Sequence, residues 1–396
     1  MAIQPERVLA EALKGEGDTL IIKNKKLRLS KYERVFLIGF GKGSARMSLG
    51  VEKSLGKFLT KGWVIDTVIG KSKKIEYTLG THPLPSKENL DFTNKVWEET
   101  SQLTDKDLVL IIICGGGSAL FEAPSSLNLK ELSLVFQKLI NSGANISEIN
   151  IVRKHLSKVK GGGLAKHLFP AKVVNLLFSD VPGNDPSVIA SGPTERDSST
   201  VKRAKTILDK YEIGEEIVPS EALLELPKET KYFENVTSIL MLSNMTALEA
   251  MQKETKDLGF KSFILTDRLQ GDAKKIGKKL VELTPPGKIL LAGGETTIKV
   301  VGKGKGGRNQ SLVLASLPLP DDTLILAFDS DGVDFYQYGG ALGDSHTWQT
   351  AQKLKLDPQD FLKEDNSSAF FEKTSDGILT GKLGSNVTDL IIVLKI

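Results

Sequence analysis

DLVLIIICGGGSAL (107–120) joins an apolar run to three glycines and a serine. A run with no polar alternation describes a strand buried on both faces, as in a parallel sheet covered by helices. The glycines permit positive φ and let another molecule approach the backbone. A helix starting just beyond would direct its free N–H groups at the turn and favour an anion. The same residues also suit a tight strand-to-helix turn without a ligand, so the rest of the chain has to decide.

Working outward, the pattern repeats. RVFLIGFG (34–41), WVIDTVIG (63–70) and KVVNLLFSDV (172–181) read as strands. SKENLDFTNKVWEETSQL (86–103) reads as a helix opened by Ser86 with Glu88 nearby, and NLKELSLVFQKLIN (128–141) and ISEINIVRKHLSKV (146–159) as two more. The opening MAIQPERVLAEALKG has the spacing of an amphipathic helix. After a polar, helix-prone stretch a second alternation begins. VTSILMLS (236–243), KSFILT (261–266), KILLAGGE (288–295), TTIKVVG (296–302), TLILAFDSDG (323–332) and the closing VTDLIIVLKI supply its strands. The expected fold class is α/β: two three-layer α/β domains with mainly parallel sheets. The boundary is placed near 230, giving a Rossmann-like nucleotide-binding domain (1–230) and a second domain (231–396). No low-complexity linker separates them, so a cleft between the domains is the expected active site.

The 396 residues suffice for two cores. With 40% hydrophobic and 26% charged residues the composition is that of a globular protein. A net charge of +4 is too small and dispersed to imply nucleic acid or membrane partners, and would not repel an anionic substrate. The single cysteine, Cys114, excludes an internal disulfide framework and fits a reducing cytoplasm. At the end of an apolar strand it reads as packing rather than as a nucleophile. One cysteine and four histidines (His82, His155, His167, His346) argue against a His/Cys zinc site, so a metal would be oxygen-ligated, like Mg²⁺. A homodimer is the default among oligomers.

Ligands of open α/β sheets gather at the carboxyl ends of strands, where four polar turns fall. In GFGKGSAR (39–46), Lys42 is flanked by glycines ahead of a helix, an arrangement that suits phosphate. In the opening stretch, Gly115, Gly116, Gly117 and Ser118 form a candidate cradle. In SDVPGNDPSVIASGPT (179–194), Asp180 and Asp185 could hold Mg²⁺ or accept a proton, although Asp and Pro are also ordinary turn formers. GGETTIKVVGKGKGGRNQS (293–311) contains G-x-G-x-x-G at Gly302, Gly304 and Gly307, with Asp329 about twenty residues on, as in a dinucleotide fingerprint. Lys303, Lys305 and Arg308 suit a triphosphate or small acid better than a hydrogen-bonded ribose, without excluding a dinucleotide, and Arg308 could clamp a phosphoryl or carboxylate group bidentately. A Walker A loop and a G-x-S-x-G elbow are absent from the sequence.

GFGKGSARM, GTHPLPS (80–86), CGGGSAL, SDVPGNDPSVIASGPT, GGETTIKVVGKGKGGRNQ and GSNVTDL resemble, in that order, the glycerate 2-kinase family, the class II glycerate kinases whose C-terminal half is called the MOFRL domain. The likeness runs from about residue 35 to the end. It implies an ATP- and Mg²⁺-dependent kinase acting on the 2-hydroxyl of D-glycerate. Lys42 and Arg308 match the family's active-site lysine and arginine, Gly115 to Ser118 would contact nucleotide or phosphate, and Asp180 falls in the S-D-V-P-G motif. Asn184 replaces a common aspartate, leaving Asp180 and Asp185 for metal or base roles. SDGVDFYQYGG (330–340) keeps Asp331 and Asp334 of its motif, and GKLGSNVTDL keeps Asn386, Val387 and Asp389. Some relatives carry a hydroxypyruvate reductase label, which makes an NAD(P)-dependent dehydrogenase the rival reading. A phosphate-binding module without turnover is the third.

Overall fold

The apolar run that opens the chain's central motif is the middle of a sheet. In the computed structural model, which describes residues 2–396, the chain divides into two compact units. The first comprises Pro5–Ser179 and Asn184–Met241; the second contains Leu242–Ile396 and also Asp180–Gly183.

In the first unit α1 (Pro5–Ala12) leads into a small antiparallel sheet of β1 (Leu13–Glu16), β2 (Thr19–Ile22) and β3 (Lys25–Arg28), which the sequence reading had missed. There follow β4 (Arg34–Phe40), α2 (Ser44–Leu55), β5 (Leu59–Asp66), β6 (Ile75–Leu79), α3 (Lys87–Glu99), β7 (Asp107–Ile113) and α4 (Gly117–Leu120). Then come α5 (Leu129–Asn141), α6 (Ile146–His155), α7 (Gly163–Leu168), β8 (Lys172–Phe178), α8 (Val201–Lys210), α9 (Lys231–Glu234) and β9 (Val236–Leu242). The sheet order is β6-β5-β4-β7-β8-β9, and every pair from β6 to β8 is parallel. Every residue of β7 is buried, as its unbroken apolar pattern requires. Asn128 and Asn145 open α5 and α6 with complete capping boxes, closed by Glu131 and Glu148.

The second unit holds α10 (Asn244–Asp257), β10 (Lys261–Leu269), α11 (Ala273–Leu283), β11 (Lys288–Gly294), α12 (Arg308–Ser316), β12 (Thr323–Asp329) and β13 (Gly340–Gly343). α13 (Ser345–Lys353), α14 (Pro358–Lys363), α15 (Ser367–Thr374), β14 (Gly377–Ile378) and β15 (Asp389–Lys395) complete it. Alternate residues show the layering. Leu290, Ala292, Ile391 and Val393 share a core with Leu312–Ala315 of α12. Ile289, Leu291, Leu390 and Ile392 face Leu248 of α10. The sheet therefore has helices on both faces, as the α/β expectation requires.

Three details differ from the sequence reading. The second sheet, ordered β10-β11-β15-β12-β13-β14, is mixed rather than mainly parallel: only β10–β11 is parallel, because the C-terminal strand inserts antiparallel between β11 and β12. The division falls after Met241 rather than near 230, because β9 completes the first sheet. TTIKVVG is no strand. The N–H groups of Val301 and Gly302 bond the Asp365 carboxylate at 2.6 and 2.8 Å instead of a neighbouring strand. Among the described residues no helix is long and apolar enough to cross a membrane.

Ile391 is wholly buried on the α12 side of the sheet, whereas Leu324 on β12 is only half-covered. Ile391→Ala is expected to cost about 2–5 kcal/mol in urea denaturation, and Leu324→Ala less than half of the Ile391→Ala loss. Equal losses at the two positions would contradict this layering.

Candidate active site

The first two polar turns lie side by side because the ladder between β4 and β7 continues past the strand ends. The Cys114 N–H donates to the Phe40 carbonyl at 3.0 Å, and the Lys42 N–H to the Gly115 carbonyl at 2.8 Å. Gly116 has φ 78°, and a Cβ there would lie 2.8 Å from His82 Cδ2 and 3.4 Å from Lys42 Cε. Lys42 and His82 thus cross over Gly116, and only glycine leaves them room. Burial, and then the Lys42 charge, hold His82 below its usual value. The Gly117 N–H turns back to the Cys114 carbonyl, while those of Gly116 and Ser118 have no protein acceptor among the described residues. The Ser118 and Ser191 hydroxyls are 3.0 Å apart. Cys114 is buried, as a packing residue would be.

The start of α2 behaves differently. Asp66, at the end of β5 and 1% exposed, accepts from the Gly43 N–H at 2.9 Å and the Ala45 N–H at 3.0 Å. The anion at this helix N-terminus belongs to the protein itself. The N–H groups that follow Lys42 are therefore already taken, and only its side chain is left for any contact with an anion.

Asp185 also has structural work, accepting from the Ser187 N–H at 2.8 Å. Further along the loop, Ala190 and Ser191 have φ of 50° and 63°, a left-handed pair that is costly without glycine. This conformation brings the Ser191 hydroxyl to Ser118. Glu195, at the loop's end, is raised by burial; it accepts from Ser238 at 2.7 Å and feels the charge of Asp185.

In the second unit the register of three strand ends builds the site. Asp389 pairs directly with Gly294 on one side and Asp329 on the other, and Glu295 follows Gly294. Arg308, the first residue of α12, lies among these acids. Its Nε and Nη2 donate to the two Asp389 oxygens at 2.8 and 2.9 Å, Nη2 also donates to Asp329 at 2.9 Å, and Nη1 is 3.1 Å from Glu295. The bidentate partner is therefore Asp389. Of the five guanidinium N–H groups, only those on Nη1 keep capacity for a ligand. Burial opposes the arginine charge, but the bonds to Asp389 and the surrounding carboxylates outweigh it and raise its pKa. Asp329 is raised to about 7 by burial and by the facing Asp389. Glu295 is raised by burial, then by Asp389 and Asp180, with Arg308 acting against the shift.

The G-x-G-x-x-G match has another cause. Cβ atoms on Gly302 and Gly304 would lie 2.3 Å from the Glu364 backbone and 2.4 Å from Asn366 Cβ, so these glycines let the loop pack on the segment joining α14 and α15. At Gly307 a Cβ would lie 2.1 Å from Asp334, whose carboxylate accepts from the Asn309 and Gln310 N–H groups at 3.0 Å each. The start of α12 is thus filled from within, and Asp329 answers Arg308 rather than a ribose. Lys305 lies over the Tyr336 ring at 4.6 Å, so it does not join Arg308 in a cluster.

The sequence singles out the turns that carry Lys42, Gly115–Ser118 and Arg308, but not Asp66 at the start of α2, the position of His82 over Gly116 or the pairing of Asp329 with Asp389. Asp66 carried a readable signal: an acid closing the apolar WVID beside a strand that ends in a glycine turn. The Asp329–Asp389 pairing carried none, because it depends on where β15 inserts.

The chain matches the family model described as a domain of unknown function, DUF4147, over residues 1–225, and the MOFRL family model over 288–389. It is 36% identical to the glycerate 2-kinase of Pyrococcus horikoshii, over 99% of this chain and 94% of that one. It is likewise 36% identical to the D-glycerate 2-kinase of Thermotoga maritima, over 99% and 95%. The crystal structure of glycerate kinase from Thermotoga maritima matches with a TM-score of 0.87 at 35% identity, covering 100% of this chain and 96% of that one.

Asp329 binds its proton more tightly when folded than at its usual value of 3.8. Its contribution to stability is therefore fully present below that value and declines as pH rises to about 7. Urea denaturation across this range should show the wild type losing stability relative to Asp329→Asn, which does not titrate there. Parallel profiles would remove the raised carboxyl from the account.

Proposed function

Because the chain belongs to the glycerate 2-kinase family, with its DUF4147 region and MOFRL domain, we propose that it transfers a phosphoryl group from ATP to the 2-hydroxyl of D-glycerate, giving 2-phosphoglycerate and ADP. The observation that carries this reading is the likeness to two glycerate 2-kinases over nearly the whole chain. The packing role of Gly302 and Gly304 and the engagement of Asp329 by Arg308 take away the local support for the dehydrogenase rival.

In this reading the phosphates of ATP meet the Gly116 and Ser118 N–H groups and the Lys42 ammonium. Phosphoryl transfer depends mainly on positioning and charge neutralisation, which these groups supply without covalent chemistry. Arg308 offers its Nη1 edge to the transferring group while Asp389 and Asp329 fix the plane of the guanidinium. Asp329, poised at about 7, is the carboxyl best matched to taking a proton from a substrate hydroxyl.

The donor chemistry suits Mg²⁺. Around Arg308, Asp180, Glu295, Asp329 and Asp389 put acids in excess of cations, and Mg²⁺ is commonly held by one or two carboxylates plus phosphate oxygens. Among the described residues no three His, Cys, Asp or Glu side chains form a protein-only metal site. Asp180, within electrostatic reach of Glu295, is the aspartate proposed for the metal, and Asp185, whose charge reaches Glu195, is the other candidate oxygen donor. Bound there, Mg²⁺ would screen the charge of the phosphates.

D-glycerate with ATP is expected to yield ADP, and phosphorus NMR to place the phosphoryl group on the C2 oxygen. D-glycerate with NAD⁺ or NADP⁺ should give no reduced cofactor. Arg308→Lys keeps a charge against Asp389 but cannot bond both of its oxygens and Asp329 together. Its turnover should fall by roughly 10³-fold or more, with cooperative unfolding retained. Near-normal turnover would take Arg308 out of the mechanism.

A further inference from the structure

His82 has no part in the reading so far, yet it lies across Gly116 together with Lys42. Neither its ring nitrogens nor the Lys42 ammonium has a hydrogen-bond or ion-pair partner among the described residues. The Gly116 and Ser118 N–H groups add two more donors in the same condition. Donors gathered around one turn with no acceptor make a place for an anionic oxygen.

We propose that His82 is a ligand-binding residue of this turn, taking up a proton as an anionic oxygen settles against its ring, the Lys42 ammonium and the Gly116 and Ser118 N–H groups. This rests on the reading of the Gly115–Ser118 turn as an anion cradle. In that reading the occupant is a phosphate of the nucleotide; the carboxylate of the hydroxy acid presents the same anionic oxygen chemistry and is the alternative that the titration separates.

The charges around His82 give the direction of the proton. Lys42, from the turn between β4 and α2, is the charged group that acts on it. The turn between β7 and α4 presents uncharged Gly116 and Ser118, and α3 offers neutral Asn89, which bonds the neighbouring Thr81 N–H at 2.9 Å. With no anion present, Lys42 and burial both disfavour the imidazolium, so the ring is neutral at pH 7. An anion placed against both groups offsets the lysine and attracts a proton to the ring. A histidine that only shapes the turn would exchange no proton on binding.

Calorimetric titration of the full chain separates these roles. ATP without glycerate, and D-glycerate without ATP, are titrated into wild type, His82→Gln and Lys42→Ala in buffers of different ionisation enthalpy. The wild type should take up a proton with one of the two ligands, which identifies the occupant. His82→Gln should abolish that uptake and weaken the same ligand below about pH 6, by about tenfold for each pKa unit the ligand restores to the histidine. The affinity difference should fade above about pH 8. If Lys42→Ala weakens binding but His82→Gln keeps wild-type affinity and proton uptake, the histidine is excluded and the cradle stands. Weaker binding in His82→Gln without proton uptake in the wild type overturns the protonation step. If neither variant alters either ligand, the cradle reading itself fails.

Discussion

The carboxylates of Asp66 and Asp334 occupy the N–H groups that open α2 and α12, two of the three helix starts at which the sequence places anions. A buried carboxylate is costly unless its oxygens are hydrogen-bonded, and a helix N-terminus supplies donors that would otherwise lack acceptors. Each acid therefore satisfies its helix and is itself satisfied. A phosphate could enter either place only by displacing an internal anion of like charge. What would remain for a ligand is narrower than the motifs suggest: the N–H groups of Gly116 and Ser118 with the side chains of Lys42 and His82 beside them, and in the second unit the Nη1 edge of Arg308.

In the second unit the same competition takes another form. Asp329 and Asp389 stand directly opposite on adjacent antiparallel strands, a placement that like charges oppose. Arg308 makes it tolerable by bonding both, and burial keeps the remaining repulsion strong enough to lift Asp329 toward neutrality. One arrangement thus fixes the plane of a guanidinium and produces a carboxyl that titrates near neutral pH. A lysine offers a point charge where the register demands a fork.

The centre of the first sheet was legible because its strands are apolar on both faces, as in DLVLIIIC and KVVNLLFSDV, whereas its edges were not: β6 is mostly uncovered and β9 reads as the start of the second domain. The capping residues Asn128 and Asn145 likewise lie where the helical spacing begins. The second sheet was less legible. VTDLIIVLKI reads as a strand, but its neighbours are set by pairings with β11 and β12 distant in sequence, and nothing local announces an antiparallel insertion. TTIKVVG has the composition of a strand, yet Asp365 takes the N–H groups of Val301 and Gly302, and Val300 and Val301 remain exposed. At the site, the motif residues Lys42, Gly116 and Arg308 could be picked out from their turns. What surrounds them could not, because Asp66 beside Lys42, His82 over Gly116 and Asp389 against Arg308 come from other strands and loops.

Two glycine-rich turns of similar composition therefore separate on one physical criterion: what fills the volume a Cβ would take. At Gly302 and Gly304 it is the chain's own packed segment around Glu364 and Asn366, so the glycines serve close packing and leave no approach for a second molecule. At Gly116 it is two side chains, His82 and Lys42, whose polar groups have no hydrogen-bond or ion-pair partner among the described residues. Side chains can yield to a ligand where backbone cannot, and in the proposed cradle these two would bring the proton and the charge an anion requires. The motif GKGKGG, closer to a dinucleotide fingerprint, is thus structural, while the Gly116 and Ser118 N–H groups have no protein acceptor among the described residues.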